Sequence, residues 1–494
     1  MLNTHCSLRF LAAGVVLSMG IAASAQTFYR VVELGSSTAS KINNSDFVIF
    51  GSAQVLDPAT STVFTLPNLG SATRSLTALN NGQIATGRAR TTSSAGSQRA
   101  VRFDVLTSTA QTLGTLGERS EGLGINTAGT IVGSARTSST SSSQRAVRYE
   151  STGAAFNLAT GTANSASVAN DINDNNQIVG AGRLLGDTAD QPLVYNFLGG
   201  ATKLPVLAGT DRGEANALNN LGFAVGRSSN LTSDTRRASI WDLSTGTVSE
   251  LLKPVGNLSG TEAYDINNSG VAVGSTIIRN IDPIAVVWQT SQGLLLNDLA
   301  IDVPDGIKFR TCTGINDSGH IVVSSLIGES TLRSFLLIPD NEFSSVSGTL
   351  TLQDLSSTAN YPIPAVVEIR NPGTLDIVRT TSAWVRPDGS YQFQTKLQGT
   401  YDIAFKGVSW LRKVVPNVTL SHSAPTTVDA SLPNGDVDND NQVTIFDYIE
   451  ISDAFDATTA DLNYNEAADL DRDEVITIFD YIILSSNFDL LGDE

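Results

Sequence analysis

The sequence predicts a mainly β chain: a seven-bladed β-propeller, then an immunoglobulin-like β-sandwich, then a small α-helical module built on two acidic loops. Three observations predict it. One phrase built around Asn and Gly recurs seven times over the first two-thirds of the chain. The next stretch loses that period but alternates apolar and polar residues, and the C-terminal segment holds two copies of one acidic pattern. The resulting boundaries are 1–25 for a leader, 26–340 for the repeats, 346–431 for the sandwich and 434–494 for the acidic module.

With 494 residues the chain exceeds one ordinary domain, and 42 Gly with abundant Ser, Thr and Asn favours β-structure with many turns. The formal net charge of −18 disfavours nucleic acid or an anionic membrane surface as the main partner. That charge is concentrated. Residues 436–494 hold 17 Asp and Glu against one basic residue, Arg472, giving about −16 and leaving about −2 for everything before them. At the other end, Arg9, an apolar run and Ala23-Ser24-Ala25 before Gln26 form a secretory leader pattern with cleavage after Ala25. The apolar run is too short for a permanent membrane span, and no later segment is apolar enough to make one. A secreted protein is expected. Cys6 leaves with the leader, so Cys312 remains alone and no intrachain disulfide can form.

The repeated phrases are KINNSDFVIFGSA, ALNNGQIATGRA, GINTAGTIVGSA, DINDNNQIVGAG, ALNNLGFAVGRS, DINNSGVAVGST and GINDSGHIVVSS. Their Asn residues are Asn43, Asn80, Asn126, Asn173, Asn219, Asn267 and Asn316, at steps of 37, 46, 47, 46, 48 and 49. A second phrase, such as QRAVRY, keeps the beat and ends on Phe103, Tyr149, Tyr195, Trp241, Trp288 and Leu337. One unit reads as four short strands, AQTLGTLG, EGLGIN, TIVGSA and RAVRYE, which is the size of a propeller blade. A β-solenoid or two stacked sandwiches is the alternative architecture. Asn suits the turn because its side chain bonds nearby backbone, and the following Gly accepts positive φ. The aromatic series reads as core between sheets, and Arg99, Arg145, Arg237 and Arg333 as the solvated side of a strand. The first unit is short because it lacks the polar loop that others fill with TTSSAGSQ or TSSTSSSQ. FYRVVELG matches the strand that the last unit lacks, so residues 28–34 are expected to complete the final blade and leave no free edge. These phrases, over roughly residues 27–340, resemble the extracellular HAF-type repeat family of bacterial secreted proteins. That resemblance implies no catalytic motif.

Nothing in the repeats argues for catalysis. Only His320 and His422 remain after the leader, in separate regions, which gives neither a His-based triad nor a His-rich zinc site. Asp171, Asp174, Asp211 and Asp265 fall at turn positions, where Asp is common for backbone reasons. No catalytic residue and no organic cofactor site is assigned.

Residues 346–431 read as about seven strands, from SGTLTLQ to TTVDASL, with a sharp RPDGSY turn, the pattern of an immunoglobulin-like sandwich. VSGTLTLQD and DGSYQF with GTYDIAFKG resemble the carboxypeptidase-regulatory-like or transthyretin-like group, which implies a spacer or adhesion module. The join to the acidic module, SLPNG, is very short, so the two should move together.

DVDNDNQVTIFD and DLDRDEVITIFD stand thirty-three positions apart with carboxylates at the same offsets. Four carboxylates this close repel one another unless a cation neutralises them, and a large hard cation takes six to eight oxygens. Counted as EF-hand positions 1, 3, 5, 7, 9 and 12, the first loop offers Asp436, Asp438, Asp440, the carbonyl of Gln442, Thr444 and Asp447. The second offers Asp469, Asp471, Asp473, the carbonyl of Val475, Thr477 and Asp480. Two calcium ions are expected. Each loop runs into Ile445, Tyr448 and Ile449, or Ile478, Tyr481 and Ile482, at helical spacing, and no helix leads into either loop. Half an EF-hand, duplicated, with Asp at the last position, resembles a type I dockerin domain over about residues 434–490. That resemblance implies docking to a cohesin-like module through Ile445-Phe446 and Ile478-Phe479, unless these are core side chains. Position 6, ordinarily Gly, is Asn441 and Glu474; Glu tolerates positive φ poorly, so the second loop should bind calcium more weakly.

Together these readings predict a secreted, non-catalytic interaction or adhesion protein: a propeller as ligand platform and a calcium-dependent tail docking to a cohesin-like or other extracellular protein module. Polysaccharide is a further expected ligand. The alternative is a dockerin-bearing glycoside hydrolase acting on polysaccharide, which two facing carboxylates in a deep pocket would favour.

Overall fold

A computed structural model describes residues 26–494 except 95–96, 139–143, 160–165, 234, 255–259, 278–282, 305–306, 328–330, 357–358 and 360–361. The leader and its cleavage point lie outside the described residues. The described chain is mainly strand, with two short α-helices.

Among the described residues, seven four-stranded antiparallel sheets take up the repeats. The first comprises Ala39–Ile42, Val48–Phe50, Gln54–Asp57 and Thr62–Thr65. The next five begin at Arg74–Leu79, Ser120–Ile125, Ser167–Ile172, Arg212–Leu218 and Gly260–Ile266. The last is built from Ile307–Ile315, Ile321–Ile327, Thr331–Asp340 and, at its outer edge, Phe28–Gly35. The expected closure is present: Phe28 pairs with Asp340 and Glu33 with Phe335. One grouping differs from expectation. The strand within AQTLGTLG, Thr109–Thr112, closes the sheet of Arg74–Leu79 instead of opening the next one.

The repeat phrase is explained by one local device. The innermost strand of every unit carries a bulge just before its apolar-Asn pair, skipping for example Leu123, Asn170 and Asn216. The bulge pushes backbone toward the neighbouring strand, and the phrase answers with glycine. A Cβ on Gly133, Gly180 or Gly226 would lie 2.0 Å from the carbonyl oxygen of Glu121, Val168 or Glu214. No side chain fits. The aromatic series fills the space between sheets as expected, with Phe103, Tyr149, Tyr195, Trp241 and Trp288 all buried.

Each repeated Asn does more than shape its own turn. The Oδ1 of Asn219 accepts from the N–H of Leu221 and Phe223, which is the turn role. Its Nδ2 donates to the carbonyl of Asn267 in the next sheet at 3.0 Å. The same donation runs from Asn43 to Asn80, Asn126, Asn173, Asn219, Asn267 and Asn316, and Asn316 returns to Asn43. Seven bonds form a closed circuit. A second tier lies beside it, in which the next residue's side-chain oxygen accepts a neighbouring unit's N–H, as at Asn220 to Asn268 and Asp317 to Asn44. The tier skips the Asn81-to-Thr127 step, where Thr127 has no side-chain carbonyl to offer.

The following segment forms two packed sheets. One holds Ile377–Val385, Ile363–Arg370, Gly399–Lys406 and Lys413–Leu420; the other holds Ser390–Thr395 and Ser344–Leu352, joined by Thr426–Thr427 and Ala430–Leu432. Val346, Val367, Phe393, Phe405 and Trp410 lie in the shared core. This unit is not a loose spacer. Strand Ala300–Ile301 pairs with Phe28–Gly35 on one side and Ser390–Thr395 on the other, so the closing sheet of the ring continues into it. Ion pairs Asp298–Arg386 and Asp340–Lys396 clamp the same junction.

Candidate metal centre

Both acidic loops are held by the helix that follows. Helix α1 (Ile445–Asp453) and helix α2 (Ile478–Ser486) start at Thr444 and Thr477, each in a capping box with the carboxylate three residues on. Asp447 Oδ2 accepts from the N–H of Thr444, while its Oδ1 accepts from Val437 and Asp438. Asp480 repeats this with Thr477, Leu470 and Asp471. The last ligand position thus folds the start of its own loop back onto the helix. Positive φ occurs at position 4 as well as position 6: Asn439 and Asn441 in the first loop, Arg472 and Glu474 in the second.

Asp436, Asp438 and Asp440 each bring one oxygen within 4.8 Å of the others, and so do Asp469, Asp471 and Asp473. Asp436, Asp447, Asp469 and Asp480 are essentially buried. Burial raises the Asp436, Asp469 and Asp480 carboxyls above their ordinary range. Burial and then the charges of Asp473 and Asp480 push Asp471 up to about 6. Asp436 Oδ1 is buried with no hydrogen-bond partner. An acceptor-only, self-repelling oxygen cluster with an unused buried oxygen fits a hard divalent cation such as calcium. Asp436, Asp438 and Asp440 would hold one ion, and Asp469, Asp471 and Asp473 the other. Asp447 and Asp480, expected as the last ligands, stand outside these two clusters, with both carboxylate oxygens accepting from loop N–H groups. The Gln442 and Val475 backbones sit in short bridges to Leu491 and Thr458 at these positions. The Thr444 and Thr477 hydroxyls accept from Phe446 and Phe479 as helix caps, a role the spacing alone did not disclose.

The module's core is made twice. Val437, Val443 and Ile451 from the first half meet Leu470, Ile476 and Leu484 from the second, each pair thirty-three residues apart. Tyr448 and Tyr481 cross edge to face at 5.6 Å. Ile445, Phe446, Ile478 and Phe479 are 53%, 61%, 52% and 63% exposed, which removes the reading of these four as core. Two matching apolar faces are left on the surface.

Sequence reasoning missed the partners of each loop's first carboxylate. Asp436 Oδ2 accepts from Lys406 Nζ at 2.6 Å, across from the sandwich, whereas Asp469 Oδ2 accepts from Tyr464 of its own module at 2.7 Å. No periodicity links Lys406 to the loop.

At the ring, Asn43 to Asn316 surround one end of the central channel, with Lys41 paired to Asp265 at 3.2 Å beneath them. Toward the other end a cavity of about 360 Å³ is lined by Asp190, Arg212, Glu214, Arg227 and Arg236. Glu214 is bound by Arg227 and Asp190 by Arg183, and the adjoining Glu262 by Arg227 and Arg236. Arg237 and Arg333 are tied to Glu250 and Glu33, and Arg99 and Arg145 bond backbone carbonyls.

No family model matches the chain, and no curated protein sequence matches it. Among solved structures it is similar to a type II cohesin–X–dockerin complex of Acetivibrio cellulolyticus, carrying a C-terminal interface mutation: 25% identity over 30% of this chain and 97% of that one, TM-score 0.25. It is similar to an oligogalacturonate lyase in complex with manganese at 13% identity over 64% of this chain and 96% of that one, TM-score 0.42. It is also similar to virginiamycin B lyase from Staphylococcus aureus at 10% identity over 63% and 100%, TM-score 0.42.

Proposed function

We infer that the chain is a secreted interaction protein: a seven-bladed β-propeller of HAF-type repeats as ligand platform, an immunoglobulin-like sandwich, and a dockerin-like tail that docks to a cohesin-like extracellular module when two calcium ions fill its loops. The observation that carries this is the pair of exposed Ile-Phe faces, Ile445-Phe446 and Ile478-Phe479, set directly on the helices that the acidic loops cap. Apolar side chains of this size, repeated in symmetry-related positions beside a cation loop, are positioned for a partner that requires the ion. The arginine-bound carboxylates of the ring cavity favour binding over hydrolysis there, because each is already committed to a guanidinium.

Immobilised cohesin modules and a panel of polysaccharides, each presented to the intact secreted chain with calcium or with EGTA, test the proposal. Capture by a cohesin module in calcium only, abolished by alanine at all four Ile-Phe positions, is the expected result. Release of reducing ends from any polysaccharide in the same tubes would instead make the propeller a hydrolase.

A further inference from the structure

The two loops are duplicated in sequence but not in their surroundings, and the difference lies at position 1. Lys406 ends strand Gly399–Lys406 of the sandwich and points its ammonium at the first loop. Nζ makes three bonds there: to the carbonyls of Gly407 and Trp410 at 3.2 and 2.9 Å, and to Asp436 Oδ2 at 2.6 Å. Lys406 is 11% and Asp436 0% exposed at the side chain, so the pair is withdrawn from water. Asp436 therefore divides its oxygens, with Oδ2 on the lysine and Oδ1 left without a hydrogen-bond partner. The second loop has no lysine. Its Asp469 is met by the neutral Tyr464 hydroxyl, and its only cationic neighbour within the module, Arg472, is paired to Glu466.

Resting on the calcium reading above, we propose that Lys406 is a built-in partial substitute for the first calcium ion. Its single positive charge faces one of the four loop carboxylates, and its bonds to the Gly407 and Trp410 carbonyls fix that charge to the sandwich. A buried carboxylate bonded to a fixed ammonium keeps its place without the metal, whereas the second loop's own cation, Arg472, is bonded to Glu466 and lies over the Trp410 ring, leaving Asp469 to the Tyr464 hydroxyl. The first loop consequently stays assembled against the sandwich when calcium is withdrawn, and the second loop is the one that calcium orders. Arg412 N–H also donates to Asn441 Oδ1 of the first loop, and Leu411 sits in the module's own core. The second loop meets the sandwich as well, through Ser356 N–H to the Asp471 carbonyl and Arg472 over the Trp410 ring, but with no ion pair to a loop carboxylate among the described residues. Lys406 acts through Asp436 and is a positioning residue for the ion.

Hydrogen exchange measured on the intact chain, with calcium and with EGTA, tests this in the wild type, Lys406→Met and Lys406→Arg. In EGTA the wild type should keep protection over 436–447 while 469–480 exchanges. Lys406→Met should lose protection over 436–447 by roughly ten- to a hundredfold, the equivalent of one charge-assisted hydrogen bond. Calcium should restore it, and Lys406→Arg should stay near the wild type. Protected peptides from Ile363–Arg370 and Ser390–Thr395 certify that the sandwich remains folded in each variant. Equal loss at both loops in wild-type EGTA samples, or an unchanged first loop in Lys406→Met, overturns the proposal. A wild type in which calcium protects neither loop removes the calcium reading itself, and this inference with it.

Discussion

Asn219 does two jobs with one amide, and the distinction is measurable. Its Oδ1 makes the turn that the sequence discloses, and its Nδ2 makes the link to Asn267 that it does not. Asn219→Asp keeps an acceptor but removes the donor and buries a charge at a 4% exposed position. It should cost ~2–4 kcal/mol in denaturant unfolding. Asp171, in the channel floor, offers a pH test. Burial, only partly opposed by Lys41, raises its carboxyl from 3.8 to about 6. A native-state value above the unfolded one means the folded form holds the proton more tightly. This group's contribution is therefore favourable at low pH and is lost as pH rises from about 4 through about 6. Asp171→Asn should flatten the pH dependence of Tm across that window, read by calorimetry. The sequence reading placed Asp171 at a turn for backbone reasons; it stands instead on strand Ser167–Ile172, where its oxygens accept from the N–H of Ile172 and, in the next sheet, of Leu218. Its unfavourable burial depends on strands dozens of residues away, and nothing local records that.

At the scale of elements, the pattern of the acidic loops was legible because the carboxylates of each cluster lie close together in sequence, while the Lys406 partner of Asp436, thirty residues away, was not. The capping bonds and the loop closure also fall within twelve residues, yet the spacing offered Thr444 and Thr477 as ligands and did not disclose them as caps. The Val-Gly ending of the repeat phrase was legible as a signal but not as a cause. Its reason is a carbonyl on the neighbouring strand, 2.0 Å from where a Cβ would stand, and a bulge that no propensity announces. Likewise Ile445, Tyr448 and Ile449 have helical spacing, but that spacing marks an exposed face, while Val443 and Ile451 go inward. Periodicity identifies a helix side without saying which side a partner covers. The second loop carries Glu474 at φ 76°, where Asn441 stands at 71° in the first. A glutamate in that region costs about 1–2 kcal/mol. Glu474→Gly is expected to tighten calcium binding at the second loop roughly fivefold in calorimetric titration, about 1 kcal/mol of relieved strain.

For the whole molecule, three sequence segments become one continuous scaffold. The ring's closing sheet runs through Ala300–Ile301 into the sandwich, and the sandwich grips the first acidic loop through Lys406. The composition shifts that separate these segments in sequence were plain, but the seams between them were not. Each is made by short strands or single ion pairs too brief to form a pattern. Deleting residues 26–35 exposes the outer edge of the last sheet and strips the parallel partner from Ala300–Ile301. The truncated chain should lose its cooperative thermal transition over the repeats, whereas the acidic module, whose core includes none of these residues, should keep its helical circular-dichroism signal.

The pairing of Phe28–Gly35 with Thr331–Asp340 also sets a clock. Gly35 meets Ser334, about three hundred residues later in the chain. At ordinary synthesis rates of ~5–20 residues per second, the first strand waits roughly 15–60 s for its partner to exist. Throughout that interval the nascent protein holds an unpaired, strand-forming segment of sequence FYRVVELG. Its yield therefore rests on whatever keeps the earliest strand from pairing with another copy until the latest sheet is made.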